Sequence, residues 1–288
     1  MSEYKCNLCG STEARTLYKI DRFDEDFTVV KCKGCGMMSQ FPQLKQDFYD
    51  EGYYQGFNSY SYVDERGDKV IREVEDRRRI ENIKKFLYGN TLLDIGCSFG
   101  SLISHAEEDG IKACGIDISP HIAKYAIRND IQISHGDACD KIEGNYSVIT
   151  MIEVLEHLTD PSKALRNCYN ALFSMGLLVI QTSNMDSLVR RLEGKNSRYL
   201  LPGHTHYFSI RTLKMMLDKN GFEIEKIYYG HETGFVPALI RKMLTNMQRK
   251  KRNDWWCFAY TLIAHILSKI HLRTLAVHNG AVIYARRK

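Results

Sequence analysis

Between positions 91 and 220 the chain keeps switching between two hydrophobic rhythms, and that switching restricts its fold more than any other feature. Short apolar runs read as strands at "TLLDI" (91–95), "KACGI" (112–116), "IQISH" (131–135), "YSVITM" (146–151) and "GLLVIQT" (176–182). Between and after them, 100–109, 120–129, 161–173 and 209–220 carry apolar residues at helical spacing. Strand–helix–strand alternation builds parallel pairing, and a parallel sheet needs helices on both faces. The expected fold is therefore α/β, a doubly wound, mostly parallel sheet. Two later runs, 222–230 and 280–287, lack an ordinary crossover helix between them, so an antiparallel pair is expected to close the sheet at seven strands.

Three further segments flank this unit. Residues 66–88 place Val70, Ile71, Val74, Ile83, Phe86 and Leu87 on one helix face. Residues 41–65, rich in tyrosine and polar side chains, read as a linker. Ahead of it, Cys6-x2-Cys9 and Cys32-x2-Cys35 are each followed by glycine (Gly10, Gly36), with the alternating runs "ARTLYKI" and "FTVVKC" between them. Two such turns bring four thiolates round one tetrahedral Zn²⁺, so residues 1–40 read as a zinc ribbon. Four protein ligands leave no open position, which makes that zinc structural. The other five of the nine cysteines (Cys97, Cys114, Cys139, Cys168, Cys257) read as small buried apolar residues.

A polar constellation lies at the strand ends. "LLDIGCSFGSL" puts Asp94 at the end of a strand, then Gly96 and Gly100 in a loop, then a helix start. Glycines there let the backbone approach a ligand at the carboxyl edge of a sheet. The next strand ends in "GIDIS", where Asp117 can take both hydroxyls of a ribose, and Asp137 follows the third strand in "HGDA". No lysine follows the loop, which excludes a P-loop ATPase, and the second glycine pattern of an NAD site is missing.

With these residues in order, the chain from about Arg66 onward resembles the class I S-adenosylmethionine-dependent methyltransferases. The resemblance implies a Rossmann-like domain over 66–288. It implies a cofactor site of Asp94, Gly96 and Gly100, Asp117 at the ribose, Asp137 at the adenine, and Ile118 and Ala138 beside those acids. One departure is Ser147, where relatives often carry aspartate. A zinc ribbon ahead of such a domain also resembles a bacterial and archaeal group associated with sugar, polysaccharide or antibiotic tailoring.

The segment "TMIEVLEHLTDP" (150–161) places Glu153, Glu156 and His157 at i, i+3 and i+4, so a helical turn would present all three on one side. A closely similar segment occurs in the ubiquinone-pathway O-methyltransferases and in the small-RNA 3′-end 2′-O-methyltransferases. In the latter, the resemblance implies a divalent ion held by these residues and a later histidine, here His204 or His206 of "GHTHYFS". Three readings stay open: Mg²⁺ or another divalent ion aligning and deprotonating a hydroxyl, His157 as a plain general base oriented by Glu153, or glutamates favouring a helix start. The resemblance, through the family's tyrosine-rich entry segment, implies that Tyr53 or Tyr54 covers the site.

The stretch 231–279 reads as a helical insertion before the last strand. Val236, Leu239, Ile240, Met243, Leu244 and Met247 repeat at helical spacing, and "WWCFAYTLIAHILSKIHL" is apolar almost all round. It is too short and interrupted for a span. Residues 236–270 would instead touch a membrane surface, substrate or a second subunit of a homo-oligomer. The +5 formal charge selects no partner. No basic-then-apolar signal opens the chain, so the expected address is the cytoplasm, with peripheral contact at the inner membrane face.

The expected activity is O-methylation of a glycan, glycolipid or related small acceptor. RNA 2′-O-methylation and C-methylation of a deoxysugar are the alternatives of the same chemistry, and nucleic acid is the less expected partner. A non-catalytic binding protein is the alternative from another class.

Overall fold

Three short antiparallel strands, β1 (Ala14–Ile20), β2 (Phe27–Cys32) and β3 (Met38–Phe41), begin the computed structural model of the protein. It describes residues 4–21, 26–43, 69–197, 199–229 and 280–288. Tyr53, Tyr54, Cys257 and most of the expected linker and insertion lie outside those residues. A helix, α1 (Lys69–Lys84), then leads into alternating units: β4 (Thr91–Ile95), α2 (Ser101–Glu108), β5 (Lys112–Asp117), α3 (Pro120–Asn129), β6 (Ile133–His135), β7 (Tyr146–Ile152), α4 (Pro161–Ala171) and β8 (Leu172–Ser183). After them come α5 (Leu188–Glu193), β9 (His206–Tyr207), α6 (Ile210–Lys219), β10 (Phe222–Tyr229) and β11 (Gly280–Arg287).

The larger sheet has seven strands in the order β10-β11-β8-β7-β4-β5-β6. Strands β4 to β8 pair in parallel, and β11 runs antiparallel to both β8 and β10. This is the expected Rossmann-like arrangement, and its order reverses between β4 and β7. Each central strand feeds two cores. Leu93, Ile149, Leu178 and Ile180 pack on the side of Leu165 and Leu213, from α4 and α6. Their neighbours Leu92, Val148, Leu177 and Val179 pack on the other side, with Ile80, Ile103 and Ile122 from α1, α2 and α3. Two-sided burial is why these strands are almost wholly apolar in sequence.

Element ends differ from the sequence expectation in small ways. The strand expected over 131–135 is only Ile133–His135, whereas β8 begins directly at the end of α4. Ser147 is built into the start of β7: its N–H donates to Thr91 Oγ1 at 2.9 Å, and the two hydroxyls lie 3.1 Å apart. Among the isolated cysteines, Cys97 and Cys168 are buried, while Cys114 and Cys139 are only part-buried.

The second sheet has the order β1-β2-β3-β9. Its fourth strand comes from beyond residue 200, so backbone pairing joins the cysteine-bearing strands to the segment that follows β8. Cys6, Leu8, Cys32, Cys35 and Met37 also share one core with Leu165 and Phe208. Among the described residues, no helix is long and apolar enough to cross a membrane.

Arg286 fastens the far edge of the large sheet. Its guanidinium makes two 2.8 Å bonds to the Glu225 carboxylate across β10 and β11, and it donates to the carbonyls of Phe86 and Met175. Arg286 is buried while Glu225 is exposed, so losing the guanidinium costs mainly the donors to the Phe86 and Met175 carbonyls, roughly 1–3 kcal/mol. Arg286→Ala should therefore lower the urea midpoint by that equivalent with an unchanged m-value. A shift below about 0.5 kcal/mol would mean that this cluster contributes no net stability.

Candidate functional site

The carboxyl ends of β4, β5 and β7 meet where the strand order reverses, which is where α/β sheets place their ligands. Gly96 has φ 69°, and a β-carbon there would come within 2.4 Å of Val154 Cγ2, so glycine is required on two counts. Gly100, at φ 79°, caps α2. Asp117 accepts a backbone N–H on each carboxylate oxygen, from Ser98 at 3.0 Å and Ser119 at 2.9 Å. The hydroxyls of those same two serines are buried without a partner, so polar groups of a ligand fit against them. Asp137 is half-buried and accepts from the Cys139 N–H at 2.8 Å, Ala138 is buried beside it, and Ile118 is exposed.

Asp94 faces inward. It is 5% exposed and accepts a 2.5 Å bond from Thr150 Oγ1 on the paired strand. Burial pushes its carboxyl up to about 7; the Thr150 bond opposes that, while Asp76 and Asp117 add to it. A chain of bonds runs past it: Ser101 Oγ to Asp76 at 2.6 Å, Arg79 to Asp76 at 3.1 Å, Arg79 to Gln181 at 2.5 Å, and Gln181 to Glu153 at 2.9 Å. Sequence reasoning missed Asp76, Arg79, Ser101 and Gln181. In "EDRRRIEN" two buried charges sit among exposed ones, so a charge run that reads as a solvated face hides them.

Past β7 the chain does not start a helix. Residues 155–157 form a turn closed by the His157 N–H to the Val154 carbonyl at 2.9 Å, and Glu153 stands at φ 56°. The next helix waits for Asp160, whose side chain caps α4 through the Lys163 N–H at 2.9 Å, with Pro161 in its first turn. The i, i+3, i+4 alignment expected from a helical turn is therefore absent.

Glu156, His157 and His204 do come together, their ligand atoms all within 4.8 Å of one another. Glu156 is fully buried, and neither carboxylate oxygen has a hydrogen-bond partner; His204 Nδ1 is likewise buried and unpartnered. Burial raises the Glu156 carboxyl, helped by the charge of Glu153, and burial lowers His157 and His204. A proton or a cation would complete such a group, and one carboxylate with two imidazoles is a donor set that suits a divalent ion. His157 Nδ1 lies 3.0 Å from the Gly203 carbonyl, and donating there fixes the tautomer that carries its lone pair on Nε2.

The other two expected members stand apart. Glu153 is exposed and held by Gln181, close enough to act on Glu156 by charge but outside the three-residue group. His206 is turned away: its Nδ1 lies 3.2 Å from Ser39 Oγ and its Nε2 3.4 Å from the Thr159 carbonyl. The alternation of β9 and its pairing with Ser39 commit that ring to the small sheet.

The four cysteine sulfurs also lie within 4.8 Å of one another, with Cys6–Cys35 and Cys9–Cys32 at 3.5 Å. Gly10 and Gly36 turn at positive φ and donate to the carbonyls of Cys6 and Cys32. Zn–S bonds of about 2.3 Å put tetrahedral sulfurs roughly 3.8 Å apart, so the set fits zinc.

Comparison with known proteins bears on the large unit. The family model described as a methyltransferase domain matches residues 68–227, more than half of the chain. A ubiquinone biosynthesis O-methyltransferase of Xanthomonas oryzae pv. oryzae is 28% identical over 134 residues, 42% of this chain and 56% of that protein. The chain thus spans about half the length of the curated relatives it matches. Among solved structures, a SAM-dependent methyltransferase from Archaeoglobus fulgidus aligns over 75% of this chain and 94% of its own, with TM-score 0.52 and 22% identity. The magnesium protoporphyrin IX methyltransferase of Synechocystis, solved with bound SAH, aligns over 82% of this chain and 93% of its own, with TM-score 0.52 and 15% identity. At these identities the two structures show a shared fold.

The elevated Asp94 carboxyl gives a test of the cleft. Its folded pKa lies above the unfolded value, so its contribution is full below about pH 4 and is lost as pH rises through about 7. Asp94→Asn should remove that loss, worth on the order of a few kcal/mol. The drop in urea midpoint between about pH 5 and pH 8, measured without ligand, should be smaller in the variant than in wild type. Equal drops would assign the slope to other groups.

Proposed function

The chain belongs to the methyltransferase domain family, and on that premise we propose that it transfers a methyl group from S-adenosylmethionine to a hydroxyl oxygen of a glycan, glycolipid or related small acceptor. In that reading the S–CH₃ bond breaks as the C–O bond forms, S-adenosylhomocysteine leaves, and the hydroxyl proton passes to a base. The observation that carries it is the Glu156–His157–His204 group beyond the carboxyl end of β7, in which the Glu156 oxygens and His204 Nδ1 are buried without a hydrogen-bond partner.

Each residue then has a stated task. Asp117, already aligned by two backbone N–H groups, takes the ribose hydroxyls. Asp137, Ala138 and Ile118 border the adenine. Gly96 and Gly100 open the loop for the methionine end, and Asp94 braces it through Thr150. Glu156, His157 and His204 would hold Mg²⁺ or Mn²⁺. Such an ion, when bound, supplies a Lewis acid that lowers the pKa of an acceptor hydroxyl. The oriented His157 ring beside the Glu156 carboxylate would help hold the acceptor oxygen in line for displacement, and such positioning supplies much of the rate in a reaction of this kind.

A second reading has its own support. The Gly203 bond that fixes the His157 ring also prepares its Nε2 as a general base without any metal, with Glu153 nearby to stabilise the charged ring. Transfer to oxygen on a small acceptor is supported by the likeness to ubiquinone-pathway O-methyltransferases. The glycan or lipid-linked acceptor is supported by the ribbon-plus-domain arrangement, and the division into 1–40, 41–65 and 66–288 belongs to the same proposal. Peripheral contact or self-association through 236–270 is part of it too.

Labelled S-adenosylmethionine, incubated with host extract split into lipid, glycan, RNA and protein, tests this. Wild type should label lipid or glycan, lose the activity with a chelator and regain it with Mg²⁺, zinc content being checked in the same samples. Glu156→Gln should lower transfer by about 100-fold or more while leaving cofactor affinity within about twofold. Asp117→Ala should weaken cofactor binding by roughly tenfold or more. Transfer that survives the chelator but not His157→Ala selects the metal-free base. Label in RNA overturns the glycan acceptor.

A further inference from the structure

A two-residue strand has no stability of its own, and β9 exists only because β3 pairs with it. Ser39 lies opposite His206 and Met38 opposite Tyr207. The Gln40 N–H donates to the Thr205 carbonyl at 2.9 Å, and Ser39 Oγ meets His206 Nδ1. The other side of the same loop is stitched to the turn after β7. Thr205 and His206 both donate their N–H groups to the Glu156 carbonyl, at 2.9 and 3.0 Å, and Thr205 Oγ1 donates to the Leu158 carbonyl at 2.7 Å. Residues 203–207, which carry His204, are thus clamped between the small sheet and the candidate site.

The small sheet is itself moored through its metal knuckles. Asn7 Nδ2 donates to Asp160 at 2.8 Å, and Asn7 Oδ1 accepts from the Ser162 N–H at 3.2 Å. Lys219 Nζ donates to the Leu8 carbonyl at 2.7 Å, and Arg211 donates to the Cys35 carbonyl at 2.5 Å. Asn7 and Leu8 lie between Cys6 and Cys9, and Cys35 is one of the four sulfur donors. What the large unit grips is therefore backbone whose shape the four-sulfur site dictates.

We infer that the ribbon is a positioning element of the methyl-transfer site: its knuckles, held by zinc, set β3, and β3 seats His204 against Glu156 and His157. Ser39, Asn7 and Arg211 act through His204 and touch neither cofactor nor acceptor. The inference takes from the proposed function only the identity of that site. The physical reason for such a device is the cost of the seat. A bare loop between β8 and α6 would have to hold a buried imidazole beside the ring of His157, against an ordering cost of about 1–2 kcal/mol per residue. Pairing on one edge and three hydrogen bonds on the other offset that cost.

Amide exchange on the full chain decides it. The Asn7→Ala/Arg211→Ala double variant keeps all four cysteines, and its zinc content should match wild type. Its exchange at 203–208 and 153–159 should rise by about tenfold or more while 91–117 stays unchanged. S-adenosylmethionine affinity should stay within about twofold, and Mn²⁺ affinity, read by its electron paramagnetic signal, should fall roughly tenfold. Zinc-stripped wild type should show the same local loosening, and if stripping unfolds the whole chain the zinc-retaining variant decides alone. Unchanged exchange at 203–208 in a zinc-loaded double variant overturns the inference. Because exchange needs no acceptor, that outcome is distinct from failure of the proposed activity, which would appear as absent methyl transfer or absent Mn²⁺ binding in wild type.

Discussion

One backbone carbonyl, that of Glu156, accepts hydrogen bonds from the N–H groups of Thr205 and His206, while the Thr205 hydroxyl donates to the neighbouring Leu158 carbonyl. Nearly everything notable in the molecule converges on that junction. The carbonyl belongs to the turn leaving β7, a strand fixed in the middle of the large sheet. Its donors belong to a loop whose far edge is the fourth strand of the small sheet. The same residue carries the buried carboxylate of the candidate site, so the chemistry and the docking of two chain regions share a single turn.

Burial governs the charge state of this region. Asp94 and Glu156 are carboxyl groups whose pKa rises because water is excluded, while His157 and His204 are imidazoles whose pKa falls for the same reason. The cleft contains acids arranged in two ways. Asp117 has both oxygens aligned by backbone donors and can receive ligand hydroxyls. Glu156 has neither oxygen satisfied, a condition that a protein interior tolerates when a proton or a cation completes it. Between the two runs the Ser101–Asp76–Arg79–Gln181–Glu153 chain, which ties α1 to the rim of the site.

Much of this was legible along the chain. The strand and helix rhythm specified the seven-stranded sheet because two-sided burial demands apolar strands, and the glycines marked the tight loop because only they take φ near 70° beside Val154. The paired cysteines announced a four-sulfur cluster by spacing alone. Legibility stopped where contacts are made across long separations. Nothing local distinguishes His204 from His206, two positions apart; one joins Glu156 while the other joins Ser39, 167 residues away. Nor does "EVLEHL" reveal that Asp160 and Pro161 delay the helix, leaving a turn that sends Glu153 to Gln181 instead of to the histidines.

The sequence by itself determined the elements, their order, and the residue types available for a cofactor and for metals. These depend on periodicity, on glycine's access to positive φ and on ligand spacing, all local properties. Tertiary structure alone decided which of those residues meet, because a hydrogen bond between β3 and β9, or between an arginine on α6 and a cysteine carbonyl, exists only once distant segments pack together. It also decided that the cysteine-bearing sheet takes its fourth strand from beyond residue 200. Its third strand needed an edge partner, and the loop beside the candidate site supplied one.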